Sequence, residues 1–356
     1  MPALDDLRAS MKEHRISALW LSNIDSVAWL TGFSGSAGQV VLTQEDGRFL
    51  TDSRYAIQAQ KQVTNLAVHT FASPTSSVEF LGQHASAMGI EKLWFEAESV
   101  TVAALKRLQE KLSKIEWIPA PDLIAPLRLV KTEDELVKLR RACQLADACF
   151  AHACRMIQPG ATERQIHLEI EFFFKRHGAD LSFEPIVVSG ANSALPHGHA
   201  TEKTLALGDF VTMDFGAKLD GYCSDLTRTV VVGKSTDRQR EIYDQVLKAQ
   251  MAAINAMKPG VSCKTVDELS RRILEEKDLA RYFGHGLGHS LGRLVHDGGA
   301  LNASSTQILA PGQVWTVEPG VYIPGFGGVR IEDDVVITQD GVEVLTASPK
   351  ELLELP

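Results

Sequence analysis

With 356 residues, of which 44% are hydrophobic and 23% charged, and a mean hydropathy of −0.05, the chain is long enough to build two good cores. A net charge of −9 and a pI near 5.7 argue against a nucleic-acid surface, and no apolar run reaches membrane-spanning length. The five cysteines are odd in number and form no CxxC pair, so they read as reduced core residues rather than as a disulfide framework or a zinc site.

The opening MPALDDLRASMKEHR reads as a polar helix rather than a signal sequence, and a cytoplasmic chain is expected. Residues 1–125 then alternate short strands with helices. ALWLS, QVVLT, RFLTD, LAVHTF and KLWFE are strand candidates, and VTVAALKRLQEKL carries a helical pattern. This predicts an α/β domain, a mixed sheet with helices on its faces. The Pro-containing stretch IPAPDLIAPLRLVKT reads as an interdomain connection, placing a second domain at 126–356. That domain opens on a helix capped by Thr132 and Glu135. Leu136, Leu139, Cys143, Ala146, Phe150, Ala153 and Ile157 form its apolar stripe, which is core packing.

The C-terminal portion contains the same acidic hairpin twice. GDFVTMDFGAKLDGYCSDLTRTVVV from Gly208 and GQVWTVEPGVYIPGFGGVRIEDDVVIT from Gly312 each run from an apolar strand into an acid, a Gly-containing turn and a second strand with another acid. Asp214 corresponds to Glu318, and Asp225 to Glu332. Upstream, MIQPGATERQIHLEI and MKPGVSCKTVDELSRRI match as well, with Pro159 and Pro259 between successive helices. Two such halves facing each other about a pseudo-twofold axis bring four carboxylates into one pocket. An isolated strand-end acid is ordinarily a solvent-facing residue, but Asp214 and Glu318 directly follow apolar runs where an unpaired carboxylate is costly. Four such groups stay ionised together only when cations neutralise them.

Between the hairpins, YFGHGLGHSLGRLVHDGG holds His285, His289 and His296 in a stretch too Gly-rich for a stable helix. Gly286, Gly288 and Gly292 suit an extended segment passing close to a crowded centre. His197, in SGANSALPHGHA, is a fourth candidate. One imidazole is expected as a ligand, the others as supporting or substrate-contacting groups.

At these motifs the chain resembles the dinuclear metallopeptidases of the pita-bread fold, among them methionine aminopeptidase, aminopeptidase P and prolidase. MDFG, YCSDLTRT, GHSLG, VEPG and VRIED match the family's ligand motifs in chain order. The resemblance implies Asp214, Asp225, His289, Glu318 and Glu332 as ligands of two divalent ions. Mn²⁺ is the expected metal, with Co²⁺, Zn²⁺ or Fe²⁺ also suiting a carboxylate-rich set with one imidazole. It further implies an α+β pita-bread catalytic domain with an internal pseudo-twofold repeat. His197 and His296 become substrate-facing imidazoles, and His285 a histidine beside the metals. GFSGSAG and TDSRY are similar to the smaller N-terminal domain of the aminopeptidase P and prolidase branch, a domain often used for homodimer contacts.

The implied chemistry is hydrolysis of the bond between an N-terminal residue and proline, by a hydroxide shared between two ions. Asp225 and Glu332 are the expected bridging acids, and Glu318 the proton relay to the leaving nitrogen. Arg330 is expected to orient the bridging acid. Prolidases often carry an arginine four residues after the second catalytic histidine, and here that position is Ala300. VHDGGAL looks more like aminopeptidase P, so peptides extending beyond proline are the expected substrates. Arg293, where relatives are apolar, keeps the dipeptidase alternative open. Metal-free binding relatives and creatinase lack the complete five-ligand set.

Overall fold

The computed structural model describes residues 2–356, which divide into two compact units, one ending at Arg128 and one spanning Leu129–Pro356. The first unit is built on a six-stranded sheet of order β4-β3-β2-β1-β5-β6. Its strands are β1 (Ala18–Leu21), β2 (Gln39–Thr43), β3 (Gly47–Asp52), β4 (Ala67–Phe71), β5 (Lys92–Glu96) and β6 (Glu116–Ala120). The sheet is mixed: β1–β2 and β2–β3 are antiparallel, whereas β3–β4, β1–β5 and β5–β6 are parallel. Central β1 is buried throughout because both of its faces are covered. Leu19 and Leu21 enter one core with Phe33 and Phe49, while Ala18 and Trp20 enter another with Val41 and Trp117.

One strand departs from expectation. β6 and the helix Ile124–Leu129 occupy much of the stretch that reads as a connection. Pro119 is tolerated in β6 because this is an edge strand paired only with β5, and Pro126 lies in the first helical turn, where its missing N–H costs nothing. The unit therefore ends at Arg128 rather than at residue 125.

The second unit is the internal repeat made solid. Helices Glu133–Cys154 and Glu163–Arg176 form one pair, and Asp237–Ala256 and Cys263–Glu275 the other. Between the members of each pair, Gly160 and Gly260 adopt φ of +90° and +86°, and their N–H groups donate to Leu205 O and Leu309 O at 3.0 and 2.9 Å. The Thr132–Glu135 capping box forms, and every member of the predicted apolar stripe is buried.

The strands of this unit are β7 (Asp180–Leu181), β8 (Ile186–Ser189), β9 (Phe210–Phe215), β10 (Ala217–Leu219), β11 (Tyr222–Cys223), β12 (Leu226–Val232), β13 (Gly288–His289), β14 (Ala300–Leu301), β15 (Val314–Val317), β16 (Gly320–Ile323), β17 (Gly327–Arg330), β18 (Asp333–Ile337), β19 (Val342–Val344) and β20 (Glu354–Leu355). Each acidic hairpin has four strands rather than two. Outer pairs β9–β12 and β15–β18 enclose inner pairs β10–β11 and β16–β17. Asp214, Asp225, Glu318 and Glu332 all lie where an outer ladder gives way to an inner one. Each half has its own core: Phe150, Ile170, Phe174 and Met213 belong to one, Val246, Val266, Trp315 and Val335 to the other.

Candidate metal centre

The two hairpin junctions bring buried acids together without a cation to balance them all. Asp225 and Glu332 are 4% and 1% exposed. Oδ1 of Asp214, Oδ1 of Asp225 and Oε1 of Glu332 are buried and accept no hydrogen bond. Such orphans are rare, because each forfeits its hydration without recompense. Burial, reinforced by the neighbouring carboxylates, pushes Asp225 and Glu332 well above the usual carboxylate range. Glu318 is pushed up to about 8, chiefly by burial and despite Arg330.

The adjacent acid shows what neutralisation looks like. Glu332, Asp333 and Asp334 are consecutive, and strand alternation turns Asp333 to the opposite face. There it pairs with Arg228 Nη2 at 2.8 Å and Lys350 Nζ at 2.7 Å. Burial opposes its ionisation, yet these two cations hold the Asp333 carboxyl below its ordinary value. Asp334 instead turns toward the centre, accepting from Asp225 N at 2.9 Å and Cys143 Sγ at 3.3 Å. Thr227, its counterpart in the first hairpin, donates to Glu332 Oε2 at 2.6 Å. Each half thus steadies a junction acid of the other, Asp225 or Glu332.

His289 lies on β13. Its Nδ1 is 3.2 Å from Ser290 O, which assigns the ring proton to Nδ1 and leaves Nε2 as a lone pair. That lone pair lies 3.5 Å from both Asp225 Oδ2 and Glu318 Oε1, so three acceptors face one another. Burial lowers the His289 pKa to about 4, and the ring is therefore neutral at physiological pH. One ligand atom each from Asp225, His289 and Glu332 lie within 4.8 Å of one another. Orphaned carboxylate oxygens around a neutral imidazole fit divalent cations.

Above this cluster is a cavity of about 240 Å³ lined by Asp214, Glu318, His197, His285, His296 and Arg330, among others. His197 and His296 are exposed at its wall, and the His296 ring centroid is 4.1 Å from that of His289. His285 is more enclosed: its Nδ1 is 2.8 Å from Gly286 O and its Nε2 2.9 Å from Tyr322 OH. The Nδ1–H therefore faces the carbonyl, and Tyr322 O–H donates to Nε2 while accepting from Arg330 Nη1 at 2.6 Å. Arg330 is buried, and it orients an acid other than the one expected from the sequence. Its Nη2 reaches Asp214 Oδ2 at 2.5 Å, in the opposite hairpin, while its Nε bonds Thr227 Oγ1 at 3.1 Å. The reason is positional. Two residues before Glu332 and one strand turn away, Arg330 projects across the gap between hairpins.

Thr227, Tyr322, Asp334 and Arg228 escape sequence reasoning, and only the alternating faces of RIEDD and LTR hinted at the outer three. Arg293 lies 5.4 Å above the Tyr222 ring, close to the Gly221 turn, and does not line the cavity. Ala300 pairs with His289 across β13–β14 and is also absent from the cavity lining.

Two family models match the chain: "Metallopeptidase family M24" over residues 137–339 and "Creatinase/Prolidase N-terminal domain" over residues 4–130. A solved Xaa-Pro dipeptidase from Bacillus anthracis superposes with a TM-score of 0.96 at 42% identity, covering 100% of this chain and 99% of that one. A solved X-Pro aminopeptidase from Thermotoga maritima gives 0.91 at 32% identity over 98% and 100%. The Xaa-Pro dipeptidase of Pyrococcus furiosus is 35% identical over 98% of this chain and 99% of its own.

Proposed function

The chain belongs to metallopeptidase family M24, and from that premise we propose that it is an exopeptidase cleaving the bond between an N-terminal residue and proline. The observation carrying this reading is the group of three orphaned carboxylate oxygens, on Asp214, Asp225 and Glu332, beside the His289 lone pair. Asp214, Asp225, His289, Glu318 and Glu332 would hold two divalent ions, with Mn²⁺ suited to so oxygen-rich a set. The chemistry such ions supply when bound is Lewis acidity toward a carbonyl and a lowered pKa for water.

The protein's own residues supply the rest. Proline's nitrogen, like that of any amide, leaves only when a proton is delivered to it, and it has no N–H of its own to donate. Glu318, a carboxylate at the cavity, would take up a proton and pass it to that nitrogen. His296 and His197 at the cavity wall donate to the scissile carbonyl and to the peptide beyond it. Arg330 and Tyr322 hold His285 in one tautomer and Asp214 in one orientation.

Substrate length divides two readings. The Bacillus anthracis and Pyrococcus furiosus relatives are named Xaa-Pro dipeptidases, which favours dipeptides. Uncharged Ala300, at the position where prolidases often place an arginine, favours peptides continuing past proline, as does the Thermotoga maritima aminopeptidase. Turnover of Xaa-Pro dipeptides and Xaa-Pro-Yaa peptides, measured side by side in defined Mn²⁺ and Co²⁺, decides between them. Metal-dependent cleavage before proline is the expected result, and no cleavage of either series in either metal would overturn the reading.

A further inference from the structure

Glu163 is a fully buried carboxylate at the first position of the helix Glu163–Arg176. It forms no ion pair among the described residues. Five donors surround it instead, all from the segment 189–201. Ser189 N at 2.7 Å, Ser189 Oγ at 2.8 Å and Asn192 Nδ2 at 3.2 Å bond Oε1. Thr201 N at 3.0 Å and Thr201 Oγ1 at 2.6 Å bond Oε2. One oxygen therefore holds the start of the segment and the other holds its end. Between them the chain carries Pro196 and His197 into the cavity, where Pro196 O accepts from Arg330 Nη1 at 3.3 Å. The helix N-terminus favours a negative charge at this point.

The second half of the molecule does the same work with different residues. Asp267, also fully buried, accepts from Leu287 N at 3.1 Å and from Arg271 Nε at 2.8 Å. Arg271 donates in turn to Phe283 O at 2.9 Å and to His285 O. In both halves a buried carboxylate on the second helix fixes the segment that delivers a histidine.

We propose that Glu163 is a positioning residue for His197, clamping both ends of the segment that presents this imidazole to substrate. A carboxylate is needed because both oxygens accept. An amide places a donor on one side, so one end of the clamp must open.

The test uses the full-length, metal-loaded enzyme with Glu163→Gln, and its kinetic arm alone rests on the Xaa-Pro peptidase reading. Amide hydrogen exchange across 189–201 should accelerate about tenfold, while the Asp237–Ala256 helix and the bound metal stay unchanged. Turnover should fall about tenfold to a hundredfold, and the same change should cost nothing further in a His197→Ala background. Unchanged exchange in the segment would overturn the clamp, and losses that multiply in the double variant would overturn action through His197. Should Glu163→Gln fail to fold, Thr201→Val removes the hydroxyl donor to Oε2, together with the bond this hydroxyl accepts from Lys203 N, and is read the same way. If the unsubstituted enzyme cleaves no Xaa-Pro peptide, the peptidase reading fails while the exchange experiment still decides the clamp.

Discussion

Tyr322 is the residue on which the cavity wall turns, because its hydroxyl both accepts from Arg330 and donates to His285. Tyr322→Phe leaves one buried guanidinium N–H and an imidazole lone pair unmet, so chemical denaturation should show a loss of about 1–3 kcal/mol. An unchanged unfolding midpoint would mean that water replaces the hydroxyl. His285 also sets a pH dependence. Burial holds its pKa at about 4 against an ordinary 6.5, so between these values the folded state binds fewer protons than the unfolded chain. Stability contributed above pH 6.5 is lost as pH falls toward 4, and His285→Asn should flatten that slope by up to about 1.4 kcal/mol per pH unit. Parallel stability curves for the two proteins between pH 7 and 4.5 would refute the neutral-ring assignment. Arg293, stacked over Tyr222 away from the cavity, should behave differently. Arg293→Leu should leave the ratio of dipeptide to longer-peptide turnover unchanged and cost no more than about 1 kcal/mol of stability. A selective loss of dipeptide hydrolysis would place its charge at the substrate after all.

At the scale of elements, the hairpin pair was legible because its apolar runs end in acids twice at matched spacing. The five expected strands of the first sheet follow the same logic of short β-branched and aromatic runs. What the pattern did not reveal was decided by neighbours. β6 carries a proline that is harmless only on an edge, and edge position is a property of the sheet rather than of EWIPA. Likewise Arg330 lies in an apolar run, and the acid that it meets is 116 residues away in sequence. Glycine in β13 was legible as a close approach, and the structure gives the reason. A Cβ on Gly288 would lie 2.1 Å from Thr316 O, so β13 must move away from β15 to accept any side chain. Gly288→Ala should therefore displace His289 and weaken metal binding by at least about tenfold in an equilibrium titration. Wild-type affinity in that variant would show that the ligand does not depend on the close strand contact.

For the whole molecule, two halves of one repeat make a centre that neither half holds alone. The first hairpin supplies Asp214 and Asp225, the second Glu318 and Glu332, and the segment between them His289. Each half also reaches across, Thr227 to Glu332 and Asp334 to Asp225, so the alignment of the carboxylates depends on the halves staying docked. In the proposed centre Asp225 and Glu332 would serve two ions at once, and this is the claim on which the peptidase reading stands. The number of Mn²⁺ ions bound per chain at equilibrium, compared between the unsubstituted protein and Asp225→Ala, tests it directly. Two ions per chain, with most of that binding lost in Asp225→Ala, is the predicted result; a variant that binds as many ions as the unsubstituted protein, or an unsubstituted protein that binds none, would contradict it.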